Sequence, residues 1–136
     1  MTRDQVIEGI LVRESTDRDH PNGNDYAIGD NGQAYGALQI WPGVLEDVRR
    51  ATGRRISQQE LLGNRELSIW VFWEYMKLYA RSDRFGRHVR AVDMARIWNA
   101  GPNGWKRSAG IPYGQLFKEW AWRKGYDPEH VSDWPL

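Results

Sequence analysis

Apolar residues at helical spacing fill most of this chain, and a single polar segment interrupts them. Near the N-terminus, Thr2 and Gln5 have the spacing of a helix capping box, and an apolar stripe follows them. From Asp17 to Gly36 the chain is instead rich in Gly, Asn and Asp and too irregular for a helix. The pattern predicts a mainly helical fold with one non-helical insertion. The first stripe consists of Val6, Ile7, Ile10 and Leu11.

The polar segment contains the signature of a small β-hairpin. Asn31-Gly32 is a strong two-residue turn signal. Tyr26-Ala27-Ile28 and Gln33-Ala34-Tyr35 flank it as short strands. We therefore predict an α+β, mainly α fold, with a hairpin after the first helix.

The rest of the chain is predicted to be helical. Pro42 suits the first turn of a helix and Gly53 its stop, while Ser57 and Glu60 form another capping box. Asn64 caps the longest predicted helix. A turn-forming run at 99–104 ends the next helix, and the tail after Gly125 is expected to be extended. The predicted helices cover about Pro42–Ala51, a short segment after Ser57, Asn64–Arg81, Val89–Trp98 and Tyr113–Lys124.

Composition excludes several classes of protein. With 136 residues we expect a single domain spanning 1–136. The absence of cysteine excludes disulfides, thiolate metal sites and cysteine nucleophiles. A formal net charge of +1 is no polyanion-binding signature. We find no signal peptide and no apolar run long enough for a membrane span, so membrane insertion is not expected. Eight tryptophans exceed what a small core needs, and aromatic faces also serve interfaces and sugar-binding clefts.

Glu14 stands at the inward-facing end of the first apolar stripe. A glutamate there loses hydration of its charged form, which favours the protonated carboxyl. A protonated carboxyl can donate its proton to a glycosidic oxygen. The alternative is an amphipathic helix that simply ends in an exposed glutamate.

Two side chains of the hairpin region are further candidates. Asp30 immediately precedes the turn and could face Glu14 across a cleft, at the carboxyl separation with which inverting glycosidases position water. It could equally cap its own backbone. The amide of Gln39 can bind an N-acetyl group or a neighbouring backbone, and both roles remain open.

A third element, Trp98-Asn99-Ala100-Gly101, marks the end of a helix. By itself it is explained by a C-terminal stop with a core tryptophan. The three elements together, however, resemble the lysozyme superfamily, in its soluble lytic transglycosylase and goose-type lysozyme branch. The matching residues are Glu14-Ser15, Gly36-Ala37-Leu38-Gln39-Ile40 and Trp98-Asn99-Ala100-Gly101, and the resemblance covers about residues 5–105.

The resemblance implies a lysozyme-like fold and cleavage of the β-1,4 bond between N-acetylmuramic acid and N-acetylglucosamine. Glu14 would be the catalytic acid, and Asp30 matches an aspartate thought to position water. Substrate-binding positions would be Ser15, Tyr35, Gln39, Trp98 and Asn99. Trp41 stands where goose-type enzymes carry another aspartate. Both hydrolysis and formation of a 1,6-anhydro sugar therefore remain open.

Other functions are weighed against this one. A non-catalytic glycan-binding or structural module on the same fold would be expected to lack the acid. The basic run of Arg81, Arg84, Arg87, His88 and Arg90 is typical of a solvated connection between helices, and we expect no nucleic-acid partner. His20, His88 and His130 lie far apart without ligand spacing, so neither a metal nor another cofactor is expected.

The expected partner is peptidoglycan, bound by a monomer. A leaderless, cysteine-free cell-wall enzyme of this size suits a bacteriophage. It would be an endolysin released from the host cytoplasm through a holin, or a lysin carried on the virion.

Overall fold

The computed structural model describes residues 1–135, and the chain forms two compact units. The first contains Met1–Ile10 and the chain from Tyr79 onward, and the second is Leu11–Leu78. Helix α1 (Arg3–Glu14) contributes residues to both. The expectation of a single domain stays a prediction. Two compact units of this kind are found in single-domain proteins and in two-domain proteins alike.

Besides the start of α1, the first unit is built from three helices and a 3₁₀ turn. The helix α1 approaches the last of these helices closely: a Cβ on Gly9 would lie 2.6 Å from the rings of both Phe117 and Trp120. The hydroxyl of Tyr126 donates to the carboxylate of Glu8 on α1 at 3.2 Å. The elements are α5 (Ser82–Phe85), α6 (Ala91–Ala100), the 3₁₀ turn Ser108–Gly110 and α7 (Ile111–Arg123).

The second unit contains the end of α1, a two-stranded sheet and three helices. Its helices begin and end largely at the predicted signals. Pro42 opens α2, and Gly53 ends it in the left-handed region with φ 78°. The capping box of Ser57 and Glu60 is formed at the start of α3. The helices are α2 (Pro42–Thr52), α3 (Gln58–Leu61) and α4 (Arg65–Tyr79).

The predicted hairpin is present, but its loop is longer than predicted. Strands β1 (Ile28–Gly29) and β2 (Ala34–Tyr35) are antiparallel, with Ile28 opposite Tyr35 and Gly29 opposite Ala34. The loop that connects the strands therefore consists of the four residues 30–33. The prediction of a two-residue turn at Asn31-Gly32 is wrong. A second reversal over 36–39 brings Ile40 beside Tyr35 through two backbone hydrogen bonds of 3.1 and 2.9 Å.

The ends of the C-terminal helices differ from the prediction. Helix α6 begins at Ala91 rather than Val89, because the carboxylate of Asp93 accepts the backbone N–H of Arg90 at 2.8 Å and caps the helix there. It runs on to Ala100, two residues past the predicted end. The short helix α5 and the 3₁₀ turn were not predicted, since neither is long enough to show a periodicity.

Candidate active site

Glu14 is the last residue of α1 and is half-buried. The helix ends after Glu14 because the carbonyl of Leu11 accepts several hydrogen bonds from the next two residues. The backbone N–H groups of Ser15 and Thr16 both donate to this carbonyl at 3.1 Å, and the Thr16 hydroxyl donates to it at 2.9 Å. The carboxyl of Glu14 thus stands on a helix end with a defined termination, as a reacting group requires.

Ser15 joins the end of α1 to two loops. Its buried hydroxyl donates to the carbonyl of Ala37 at 2.7 Å and accepts the backbone N–H of Asn24 at 3.0 Å. Two of the sequence motifs, Glu14-Ser15 and Gly36-Ala37-Leu38-Gln39-Ile40, are therefore in direct contact. The hydroxyl of Ser15 uses its single hydrogen-bond donor inside the protein, so Ser15 holds the two loops in place. The assignment of Ser15 to substrate binding stays a prediction.

Gln39 is held in the hairpin by its own amide. It has a left-handed backbone with φ 55°, a conformation that costs a non-glycine residue about 1 kcal/mol. Its Nε2 donates to the carbonyls of Ala27 at 3.2 Å and Gly36 at 3.0 Å. Its Oε1 lies against Gly29, where a Cβ would be only 2.3 Å away. Of the two roles left open by the sequence, the structure supports the structural one for the amide nitrogen.

Asp30 lies on the exposed four-residue loop of the hairpin. Asp30, Asn31 and Gly32 are all left-handed, with φ of 50°, 58° and 82°. The carbonyl of Gly29 accepts from the N–H groups of Gly32 and Gln33, both at 3.1 Å, and so closes the loop. Strained backbone of this kind occurs preferentially at ligand-binding and catalytic positions. The role of Asp30 in positioning water stays a prediction.

Tyr35 lies in the middle of a row of three side chains. Directly opposed residues of antiparallel strands point to the same face, so Ile28, Tyr35 and Ile40 share one face of the hairpin. Ile40 is fully buried, Tyr35 is half-buried and Ile28 is 52% exposed. The row passes from the core to the surface, and Tyr35 is accessible at its centre.

Trp98 and Asn99 belong to the first unit, on the last turn of α6. Trp98 is half-buried and Asn99 is exposed. The helix stops at Gly101, which has φ 89° and donates its N–H to the carbonyl of Ile97 at 2.9 Å. The other five predicted site residues, Glu14, Ser15, Asp30, Tyr35 and Gln39, all lie in the second unit.

Two long-range contacts of this region have no signal in the sequence. The guanidinium of Arg65 donates to the Asp25 carboxylate at 2.8 Å and to the carbonyls of Asn22 at 2.6 Å and Gly23 at 3.1 Å. It thereby fixes the loop that leads into the hairpin. These partners are 40 or more positions apart in the chain, so no local pattern predicts them.

Gln58 is the second such contact. Its Nε2 donates to the carbonyl of Gln33 at 2.6 Å and to that of Ile40 at 3.0 Å. Gln58 therefore ties α3 to both the hairpin loop and the strand-like residue after Gln39. The candidate site is anchored to two helices of its own unit, α3 through Gln58 and α4 through Arg65.

Charge near the site is organised by hydrogen bonds in the loop after α1. The Asp17 carboxylate accepts the backbone N–H groups of Asp19 at 2.9 Å and His20 at 2.8 Å and contacts the His20 ring at 2.9 Å. The hydrogen bond from the His20 side chain is the largest cause that holds the pKa of Asp17 below its ordinary value.

Within residues 1–135, no group of three or more His, Asp or Glu side chains could hold a metal ion.

The basic run of the first unit is a solvated connection only in part. Arg81 and His88 are exposed, as predicted, whereas Arg84 and Arg87 are half-buried. Arg84 donates to the carbonyls of Tyr79 at 2.6 Å and Pro102 at 3.1 Å. Arg87 makes two hydrogen bonds, of 2.8 and 2.9 Å, to the buried carboxylate of Asp93. These arginines are half-buried structural residues because they satisfy carbonyls and a buried acid.

The longest helix that the structure describes in residues 1–135 is α4. No helix in these residues is long and apolar enough to cross a membrane.

Comparisons of the chain with protein-family models, curated proteins and solved structures find no match. The resemblance to lysozymes and lytic transglycosylases therefore rests on the three motifs quoted above.

Proposed function

We propose that this chain has a lysozyme-like fold and cleaves the β-1,4 bond between N-acetylmuramic acid and N-acetylglucosamine in peptidoglycan. The observation that carries the proposal is the hydrogen bond of 2.7 Å from Ser15 to Ala37. It joins the motif that contains Glu14 to the motif that contains Gln39, although 22 positions separate the bonded residues. Two weak sequence signals that meet in space are stronger support than either one alone.

In this proposal Glu14 is the general acid. The residue is half-buried at a helix end whose next residue is fixed by two hydrogen bonds. The protonated carboxyl donates its proton to the glycosidic oxygen, and that oxygen takes the bonding electron pair as the C–O bond breaks. The positive charge that develops on the sugar is then quenched by a nucleophile.

The nucleophile decides the product. A water positioned by Asp30 gives hydrolysis and a reducing end. Closure by the 6-hydroxyl of the same muramic acid residue, assisted by its acetamido group, gives a 1,6-anhydro sugar. The exposed position of Asp30 on a tightly closed loop leaves its carboxylate accessible to water.

The decisive test compares Glu14→Gln with Glu66→Gln on purified peptidoglycan. Glu66 is an exposed glutamate in the first turn of α4 and serves as the matched control. Loss of a general acid lowers the rate by about 10²–10⁴-fold, so Glu14→Gln should cease to clear the suspension while Glu66→Gln clears it normally. Clearing by a Glu14→Gln protein with an unchanged circular dichroism spectrum would show that Glu14 is not the acid.

The product is identified by mass spectrometry of the released fragments, since the two products differ by one water. Asp30→Asn is a conservative probe because asparagine tolerates the left-handed backbone at this position. If Asp30 positions water, this variant loses hydrolysis strongly. Unchanged activity that yields only anhydro products would instead identify a lytic transglycosylase.

A further inference from the structure

A cleft of about 530 Å³ opens in the second unit, between α2 and the segment 55–60 that leads into α3. Its apolar lining comes from Pro42, Leu45 and Ile56. Two arginines and two glutamates surround this apolar patch, namely Arg49, Arg55, Glu46 and Glu60. None of these four residues belongs to the site proposed above.

Two of the four charges are already used by the protein. Arg49 donates through Nε to Glu46 at 3.1 Å, and its Nη2 holds the second oxygen of the same carboxylate. The hydrogen bond from Arg49 is the largest cause that keeps the pKa of Glu46 below its ordinary value. This exposed pair therefore forms a neutral wall of the cleft at neutral pH.

The other two charges are exposed to solvent. Arg55 makes no hydrogen bond or ion pair within the described part of the chain, although its charge acts on Glu46 at longer range. Glu60 accepts the backbone N–H of Ser57 at 2.6 Å, and its hydrogen bonds with Ser57 hold the pKa of Glu60 below its ordinary value, so the carboxylate is charged at neutral pH. An exposed guanidinium and an exposed carboxylate beside an apolar patch match a small zwitterion that has short apolar groups.

The cleft adjoins the candidate active site. Gln58 lines it, and the amide of Gln58 donates to the carbonyls of Gln33 and Ile40. Gln33 ends the loop that carries Asp30, and Ile40 follows Gln39. Gln58 thus joins the lining of the cleft to the hairpin that carries the candidate site.

We propose that this cleft binds the stem peptide of peptidoglycan, with Arg55 on a peptide carboxylate and Glu60 on the peptide amino group. Stem peptides are short, combine free carboxylates with a free amino group and carry alanine methyl groups, which fits the charges and the apolar lining. The identity of the polymer rests on the proposed function. The balanced charge of the lining favours this zwitterion over a polyanion.

The test uses a free synthetic tetrapeptide, L-Ala-γ-D-Glu-L-Lys-D-Ala, titrated into the full chain and followed by NMR. Resonances of the cleft should shift, and Arg55→Gln should weaken the binding by about tenfold, the effect of losing a charge-assisted pair. Arg123→Gln is the matched control, since Arg123 is exposed at the end of α7 and lies outside the lining of the cleft. Amidating the carboxylates of the peptide should have the same effect as Arg55→Gln.

Two further measurements separate this inference from the proposed function. Glu14→Gln should bind the free tetrapeptide as the wild type does, so a failure to cleave peptidoglycan leaves the peptide result interpretable. Peptide-free glycan strands should bind wild type and Arg55→Gln equally. The inference is overturned if the wild type shows no cleft shifts with the tetrapeptide. It is also overturned if Arg55→Gln binds the peptide as the wild type does, or weakens the binding of peptide-free strands.

Discussion

Ser15 and Ser68 are both buried serines of the second unit, and replacing each by alanine should have opposite effects on stability. The Ser15 hydroxyl has two backbone partners, whereas the Ser68 hydroxyl is fully buried on α4 and has no hydrogen-bond partner among residues 1–135. Both substitutions remove one hydroxyl oxygen from a buried serine. The difference between their changes in the free energy of unfolding therefore measures the contribution of the Ser15 hydrogen bonds.

The magnitude follows from the groups left behind. Ser15→Ala leaves the carbonyl of buried Ala37 without this donor, which costs about 1–3 kcal/mol. It also removes the acceptor of the half-buried Asn24 N–H, a net loss of about 0.5–1.5 kcal/mol because water replaces part of it. We expect the free energy of unfolding to fall by about 2–3 kcal/mol.

For Ser68→Ala the same reasoning gives the opposite sign. The hydroxyl was desolvated on folding without gaining a hydrogen bond, so its removal abolishes a cost. Alanine is also the better helix former, by a few tenths of a kcal/mol. We expect the free energy of unfolding to stay constant or to rise by up to about 1 kcal/mol.

Urea denaturation followed by tryptophan fluorescence measures both variants, with linear extrapolation of the free energy of unfolding to water. The reasoning is refuted if Ser15→Ala changes that free energy by less than about 0.5 kcal/mol, the usual size of a surface effect. It is equally refuted if Ser68→Ala destabilises the protein as much as Ser15→Ala does.

Three further predictions concern other contacts. Arg87→Met should lower the free energy of unfolding by about 3 kcal/mol, because it leaves the buried Asp93 carboxylate without its cation; a thermal melt unchanged from wild type would contradict this. The low pKa of Asp17 implies stability that is present above the ordinary aspartate range and lost as the pH falls through the folded pKa. An NMR titration should show His20→Ala raising that pKa, and an unmoved titration would exclude the histidine as its cause. Gly29→Ala places a methyl group 2.3 Å from Oε1 of Gln39, so the Gln39 side chain must move aside and its hydrogen bonds to Ala27 and Gly36 should weaken. We expect the free energy of unfolding to fall by about 1–2 kcal/mol, measured by urea denaturation, and an unchanged value would contradict this.

The elements that sequence predicts well are those with local signals. The capping box of Thr2 and Gln5 is formed, with hydrogen bonds of 3.0 and 3.2 Å, and Asn64 caps α4 by accepting the N–H of Leu67 at 3.1 Å. In each case the chemistry lies within three or four residues, where propensity and side-chain hydrogen bonding decide the backbone.

The elements that sequence misses depend on distant partners or on strained backbone. The hairpin loop is longer than the Asn-Gly signal implies because Asp30 joins the turn in the left-handed region, which an aspartate adopts only at a cost. Arg65 shows no local sign of the loop it holds, since its partners come from another part of the unit. For the candidate site, the motifs supply the prediction, but they do not show that the Ser15 hydroxyl and the amide nitrogen of Gln39 bind backbone groups of distant residues.

The contact between Gly29 and the Gln39 side chain has a consequence for how such a chain can diverge. A Cβ at position 29 would lie only 2.3 Å from Oε1, so any residue larger than glycine there moves the Gln39 side chain away from its present place. That movement would weaken the hydrogen bonds of the Gln39 amide to Ala27 and Gly36, unless a smaller residue stands at position 39. In any set of descendants that keeps this turn, positions 29 and 39 should therefore covary.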